Sequence, residues 1–186
     1  MTNEPKVQLM DHEDIKRTLR RLAHEILENI RNLDQTRIIG IRDRGDDLAK
    51  RLSATIKQVE NVEIPIGFLD ITFYRDDFRT KLSQPSVMST EIPFEIDGVD
   101  IILVDDVLYT GRTIRAAMDA IMDYGRPGSI HLAVLVDRGH RELPIRPDFI
   151  GKNVPTSAHE QVRVFVKERD GEDGVYLYEA VREEDE

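Results

Sequence analysis

Behind Asp11, the apolar residues Ile15, Leu19, Leu22, Ile26, Ile30 and Leu33 recur three and four positions apart. That spacing predicts an amphipathic helix of about six turns, with Asp11 as its N-cap and Glu13 and Asp14 in its first turn. A short β-rich run, TRIIGIR (36–42), precedes DDLAKRLSATIKQVE (46–60), where Leu48, Leu52 and Ile56 share a helical face. The order is strand, loop, helix. EIPIGFLDITFY (63–74) reads as a further strand, after which RDDFRTKLSQPSVMSTEIP (75–93) loses all apolar periodicity. A structureless stretch of that length in a compact domain predicts a lid or binding loop. VDIILV (99–104) and SIHLAVLV (129–136) flank a helix near 114–124, closed by Gly125 and Pro127. Continuous apolar strands alternating with helices predict an α/β fold with a parallel sheet covered on both faces. The alternation in VRVFVKERDGEDGVYLYEAV (162–181), broken by a Gly/Asp turn, predicts a hairpin.

The 186 residues, 40% of them hydrophobic, suffice for one well-buried core, and no Ser/Gly/Pro-rich linker divides them, so a single domain over 1–186 is expected. With no cysteine, disulfides and thiolate metal sites are excluded. No apolar run approaches a membrane span and MTNEPKVQLM has no secretory pattern, so the expected location is the cytoplasm, with no membrane partner. A formal charge of -10 argues against indiscriminate nucleic-acid binding. Much of the acid is concentrated in DGEDG (170–174) and the last four residues, which leaves room for a local basic face.

Candidate chemistry sits where strands run into helices. In open α/β sheets ligands bind beyond the carboxyl ends of the strands, near helix N-termini with free N–H groups. Two such turns occur: RDRG (42–45) and LYTGRT (108–113). If their strands are neighbours, two anion sites face one crevice, with Asp105 and Asp106 between them. Carboxylates accept hydrogen bonds from hydroxyls and repel phosphate, so the expected ligand is a sugar phosphorylated at both ends. An Asp-Asp pair alone is usually a solvated strand end or a cap; the order apolar strand, Asp-Asp, three residues, Thr-Gly-x-Thr, helix favours function. No Gly-Lys-Ser/Thr loop and no G-x-G-x-x-G follows a strand, which removes the nucleoside-triphosphatase and dinucleotide readings.

IILVDDVLYTGRT (101–113) closely resembles the phosphoribosyl pyrophosphate (PRPP) signature of type I phosphoribosyltransferases. Together with LDITFYRDD (69–77), LAVLVDRGHRELPIRPDFIGKNVPTS (132–157) and LRRLAHEI (19–26), it makes nearly the whole chain similar to the bifunctional pyrimidine operon regulator and uracil phosphoribosyltransferase family. The resemblance implies the type I phosphoribosyltransferase fold, with a small hood and a flexible active-site loop near 75–91. It implies conversion of uracil and PRPP to UMP and pyrophosphate with Mg²⁺, and binding of pyrimidine-operon mRNA in response to UMP or UTP. Asp105 and Asp106 would hold the ribose hydroxyls and contribute to catalysis, with Arg75 from the loop. Val107, Leu108, Tyr109, Thr110, Gly111, Arg112 and Thr113 would take the 5′-phosphate. Asp43, Arg44 and Gly45 fall in the pyrophosphate loop, and Val136, Asp137 and Arg138 in the hood near the base. Mg²⁺ would bridge substrate oxygens, with Asp105 and Asp106 as its nearest carboxylates. Purine enzymes of this fold usually carry aspartate where Tyr109 stands, so the aromatic residue favours a pyrimidine.

One departure concerns Asp43, where the family has threonine. An aspartate only accepts, and adds like charge beside the leaving group. Either it points away, or it reaches the phosphates through Mg²⁺ or water, or it weakens turnover. For RNA, Lys16, Arg20 and His24 share a helical face, and Arg17 and Arg21 lie beside them with no acid between Ile15 and His24. Such a cluster is more often a solvated face; the resemblance makes Arg20, Arg21 and His24 an RNA surface together with Arg141, Arg146 and Lys152. Arg20 departs from the family's frequent threonine. A homo-oligomer, a dimer or larger, is also implied. Two alternatives stand beside the dual role: a phosphoribosyltransferase without RNA regulation, and an RNA regulator with little or no turnover.

Overall fold

In the computed structural model, which describes residues 4–74 and 89–179, the long apolar runs become adjacent strands of one parallel sheet. In chain order the elements are β1 (Val7–Met10), α1 (His12–Asn29), β2 (Thr36–Ile41), α2 (Gly45–Glu60), β3 (Ile66–Leu69), β4 (Asp100–Leu108), α3 (Arg112–Met122) and β5 (Ser129–Asp137). After them come β6 (Phe149–Asn153), β7 (Glu160–Phe165), the short α4 (Lys167–Asp170) and β8 (Gly174–Glu179). The main sheet has the order β3-β2-β4-β5-β6, and its neighbouring strands are parallel. β1, β8 and β7 form a separate antiparallel sheet.

Apolar residues are continuous along the central strands because both faces are covered. Ile38, Ile102, Val104, Ala133 and Leu135 pack under α1 and α2 with Leu19, Leu22, Ile26, Leu48, Leu52 and Ile56. Their strand neighbours Ile39, Ile101, Leu103, Leu132 and Val134 point the other way, under Ile114, Ala117 and Ile121 of α3. Successive strand side chains alternate between faces, so each face receives every second residue. The small sheet joins the first of these cores through Val162, Val164 and Val175.

Several boundaries differ from those predicted. Asp11 caps α1 as expected, its Oδ1 accepting from the Asp14 amide at 2.8 Å while Asp14 accepts from the Asp11 amide. The helix, however, ends at Asn29, whose side-chain amide donates to the Glu25 carbonyl at 2.7 Å. Ile30 and Leu33 continue the periodicity because the chain beyond the helix still packs on the same core. The strand expected over 63–74 is only β3; Asp70 then accepts from both the amide and the hydroxyl of Thr72, turning the chain into a 3₁₀ turn over Thr72–Tyr74. β4 runs farther than its apolar run, since Asp105, Val107 and Leu108 pair with Val134, Val136 and Asp137 of β5. The two aspartates therefore lie within the paired end of the strand. β1 and β6, short and without a continuous apolar run, were not predicted. The expected hairpin is β7 and β8, with α4 between them.

Candidate active site

β2 and β4 are neighbours, which brings the two strand-to-helix turns to one crevice. The 42–45 turn is built on two successive left-handed residues, Asp43 at φ 70° and Arg44 at φ 85°. Outside glycine such a backbone persists only when its surroundings fix it. Gly45 is needed for another reason: a Cβ there would lie 2.7 Å from the Val104 carbonyl oxygen and 3.2 Å from the Asp105 Cα. Only glycine lets α2 begin this close to β4. The crevice has a volume of about 500 Å³ and is lined by Arg42, Asp43, Arg44, Asp105, Asp106, Val107 and Thr113, together with Asp70, Thr72 and Arg169.

Asp105 is buried and Asp106 half-buried. The Asp106 amide donates to Asp105 Oδ1 at 3.0 Å, and the Val107 amide donates to Asp106 Oδ1 at 2.7 Å. Burial pushes the Asp105 carboxyl well above the usual carboxylate range, and the neighbouring Asp106 charge pushes the same way. Burial also raises Asp106, opposed by the Val107 amide and the Arg44 guanidinium. Asp43 adds like charge toward both. The crevice is therefore prepared for hydroxyl donors and cations.

On the far side, Gly111 at φ 93° caps α3, and Thr110 Oγ1 accepts from the Arg112 amide at 3.3 Å. The first-turn amides of α3 have no acceptor within the helix, which suits an anion. The loop is braced from outside: the Thr110 carbonyl accepts from the Glu142 and Leu143 amides, and Arg112 pairs with Glu142 at 2.6 Å. Leu108 is buried. Tyr109 is partly exposed, with the Arg138 guanidinium 3.9 Å from its ring centroid. Arg138 is itself buried and donates to the Glu160 carbonyl at 2.7 Å. Val136 is fully buried between β4 and β6, while Asp137 is held by Arg141 at 2.5 Å.

The basic residues expected at an RNA surface divide into two groups. Arg20 and His24 are exposed and line a groove between α1 and α2 with Lys16, Arg17, Gln58 and Val59. Arg21 turns toward the sheet edge, donating to the Ile150 and Gly151 carbonyls at 3.0 and 2.5 Å while pairing with Glu25. Arg141 is committed to Asp137 and to the Tyr109 and Ile145 carbonyls, each at 2.9 Å. Arg146 is exposed, and Lys152 donates to the Leu9 carbonyl at 2.7 Å. Arg75 lies outside the described residues, as does the loop expected over 75–91 up to residue 88.

Asp70, Thr72 and Arg169 were not singled out from the sequence. The first two were findable, because β3 is a third parallel strand whose carboxyl end must open on the same crevice. Arg169 arrives from the β7–β8 connection, and no local pattern signals that. Among the described residues no three His, Cys, Asp or Glu side chains cluster as a metal cage, and no helix is long and apolar enough to cross a membrane.

The fold and the crevice define a class, and the comparisons agree: residues 7–166 match the phosphoribosyl transferase domain family. Similar solved structures include a hypoxanthine phosphoribosyltransferase from Staphylococcus aureus, with TM-score 0.68 at 19% identity over 97% of this chain and 96% of that one. A hypoxanthine-guanine phosphoribosyltransferase from Bacillus anthracis gives TM-score 0.70 at 18% identity, covering 96% of this chain and all of that one. At such identity they establish the fold alone. Much nearer in sequence are proteins named bifunctional protein PyrR, 56% identical in Pelotomaculum thermopropionicum and 55% in Thermus aquaticus, each alignment covering 94% of this chain and 96% of the relative. The chain belongs to the bifunctional PyrR family.

Proposed function

We infer that the protein transfers the phosphoribosyl group of PRPP to uracil, giving UMP and pyrophosphate, and regulates pyrimidine genes by binding their mRNA according to uridine-nucleotide supply. The observation that carries the catalytic half is the juxtaposition of the 42–45 and 108–113 turns across β2 and β4, with Asp105 and Asp106 between them. The 108–113 turn takes the 5′-phosphate on amides and the Thr110 and Thr113 hydroxyls; Asp105 and Asp106 accept from the ribose hydroxyls. Arg44 and the amides of the 42–45 turn meet the pyrophosphate. Uracil N1, giving up its proton, bonds to the ribose C1 as the bond from C1 to the pyrophosphate oxygen breaks, and excluding water while that carbon is cationic prevents its hydrolysis.

Mg²⁺ fits this donor set, because it is commonly held by one or two carboxylates with substrate phosphates completing the shell. When bound it supplies neutralisation of charge on the leaving group. The base stands against the Tyr109–Arg138 stack under the hood, where Tyr109 offers an apolar ring and no carboxylate for a purine nitrogen. The RNA half rests on the exposed Arg20, His24 and Arg146 and on the family. The whole chain is read as one domain working in the cytoplasm as a homo-oligomer.

The catalytic reading is tested by offering uracil, hypoxanthine and guanine together with PRPP and Mg²⁺ and separating the nucleotides. UMP is the expected product; purine nucleotides alone would overturn the base assignment.

A further inference from the structure

Arg169 stands on α4, outside the parallel sheet, yet its side chain reaches the crevice. Its Nη2 lies 2.7 and 2.8 Å from the two carboxylate oxygens of Asp46, and its Nε bonds to Asp47. Its Nη1 is 4.0 Å from Asp43. Asp46 and Asp47 form the first turn of α2 and are 0% and 4% exposed. A reciprocal tie runs the other way, as Arg44 of the 42–45 turn donates to Asp170, the residue after Arg169, at 3.0 Å. Two arginines thus join the turn and the β7–β8 connection from opposite sides.

The turn needs such joining. Asp43 and Arg44 are both left-handed, and the adjoining acids of α2 are removed from water, where an unpaired carboxylate is costly. The Asp43 side chain is 73% exposed and lines the same crevice as Asp105 and Asp106. With Asp70, four carboxylates consequently line the crevice in which a pyrophosphate would sit. Of the cations lining that space, Arg42 is occupied by Asp46, Glu91 and the Ser89 carbonyl, and Arg44 by Asp43 and Asp170. Arg169 is the cation that spans all three acids of the turn and first helical turn.

We propose that Arg169 is a positioning residue for the pyrophosphate end of PRPP. It clamps the first turn of α2 to the hairpin so that the 42–45 turn keeps its left-handed form and presents its amides. Its charge beside Asp43 offsets the repulsion between that carboxylate and the leaving group. The inference rests on the reading of the crevice as a PRPP site; it does not depend on which base is used.

The test is calorimetric binding of PRPP with Mg²⁺ and of pyrophosphate, alongside kcat and KM for both substrates and thermal melts. Arg169→Met should weaken PRPP and pyrophosphate by about tenfold or more, with KM for uracil unchanged. Arg169→Lys should recover part of the loss, and adding Asp43→Thr to Arg169→Met should recover part of it as well. Arg169→Met takes one partner from each of two buried acids, leaving Asp46 with Arg42 and Asp47 with Lys50; Asp47→Asn/Arg169→Met, which removes one charge of each sign, keeps the net charge of the cluster unchanged. The Asp47→Asn/Arg169→Met protein should melt near the wild type and still bind PRPP weakly. Unchanged PRPP affinity in a folded Arg169→Met protein, or wild-type affinity in Asp47→Asn/Arg169→Met, would overturn the proposal. Wild-type protein that binds PRPP but makes no UMP, with binding lost in Arg169→Met, would sustain Arg169 and remove the uracil assignment. Wild-type protein that binds neither PRPP nor pyrophosphate would remove both.

Discussion

Asp105 and Asp106 are adjacent in sequence but differ in what surrounds them. Asp105 is the more buried, and its carboxyl is raised well above its ordinary value of 3.8 by burial first and by the Asp106 charge second. Its native pKa exceeds its unfolded one, so between the two values the native state holds a proton that the unfolded chain releases. Stability without ligand is therefore lost as pH rises through that window. Asp105→Asn keeps an acceptor for the Asp106 amide and removes the buried charge. It should stabilise the unliganded protein at neutral pH by about 1 kcal/mol, or about 2–4 °C in Tm, with the gain vanishing in melts below the ordinary carboxylate range. Equal melting of the two proteins at pH 7 would show that the carboxyl is not held in this way. Asp106→Asn should instead act on function, raising KM for PRPP by about tenfold through loss of a charge-assisted hydrogen bond. The place of these two residues beside both turns was legible in the sequence because it follows from residue type and strand position. The partners of single arginines were not: Arg21 and Arg141 read as display residues, yet each is spent on backbone carbonyls brought near by distant segments.

At the scale of elements, periodicity located each helix of two turns or more and the central strands, since each is an apolar face repeated several times. It failed at β1 and β6, which are too short to show a period, and at the ends of α1 and β3, where side chains of Asn29 and Asp70 redirect the backbone. Two predictions belong here. Gly45→Ala should cost about 1–3 kcal/mol in denaturant unfolding, because its Cβ would meet backbone that is itself part of β4, and PRPP binding should weaken with it. The second concerns the hairpin's hold on α2 and α1. Asp173 is removed from water, which alone would raise its pKa; Arg51, the Lys167 amide and His12 more than reverse this and bring it to about 2. A depressed carboxylate contributes stability that is present above its unfolded pKa and lost as pH falls through its folded one. Wild-type protein should therefore lose about 1–2 kcal/mol from this group between about pH 4 and pH 2, and Asp173→Asn should lack that component. Acid unfolding curves that superimpose would contradict it. DGEDG, read from the sequence as a patch of excess acid, is largely a set of partners for arginines on other elements.

For the molecule as a whole, the proposed reading joins two activities at one crevice. On that reading UMP would share the 5′-phosphate and ribose partners of PRPP, and nucleotide occupancy and RNA affinity would be coupled through whatever shape the bound protein prefers. The exposed Arg20 and His24 are the better probes of the proposed RNA face, because replacing Arg21 also breaks the tie between α1 and β6. Arg20→Ala/His24→Ala should weaken leader RNA while leaving uracil turnover near wild type. It should also flatten the salt dependence, by about 0.7 in log–log slope for each phosphate of single-stranded RNA that is no longer neutralised. Turnover falling in parallel with RNA binding would place those residues in the fold's support instead. The most direct measurement is the dissociation constant of a pyrimidine-operon leader RNA with and without UMP, in the wild type and in Asp106→Asn. UMP should tighten wild-type binding by about 5- to 150-fold, equivalent to about 1–3 kcal/mol of coupling, and Asp106→Asn should lose most of this shift at the same UMP concentration. Equal RNA affinity with and without UMP in the wild type would contradict the coupling.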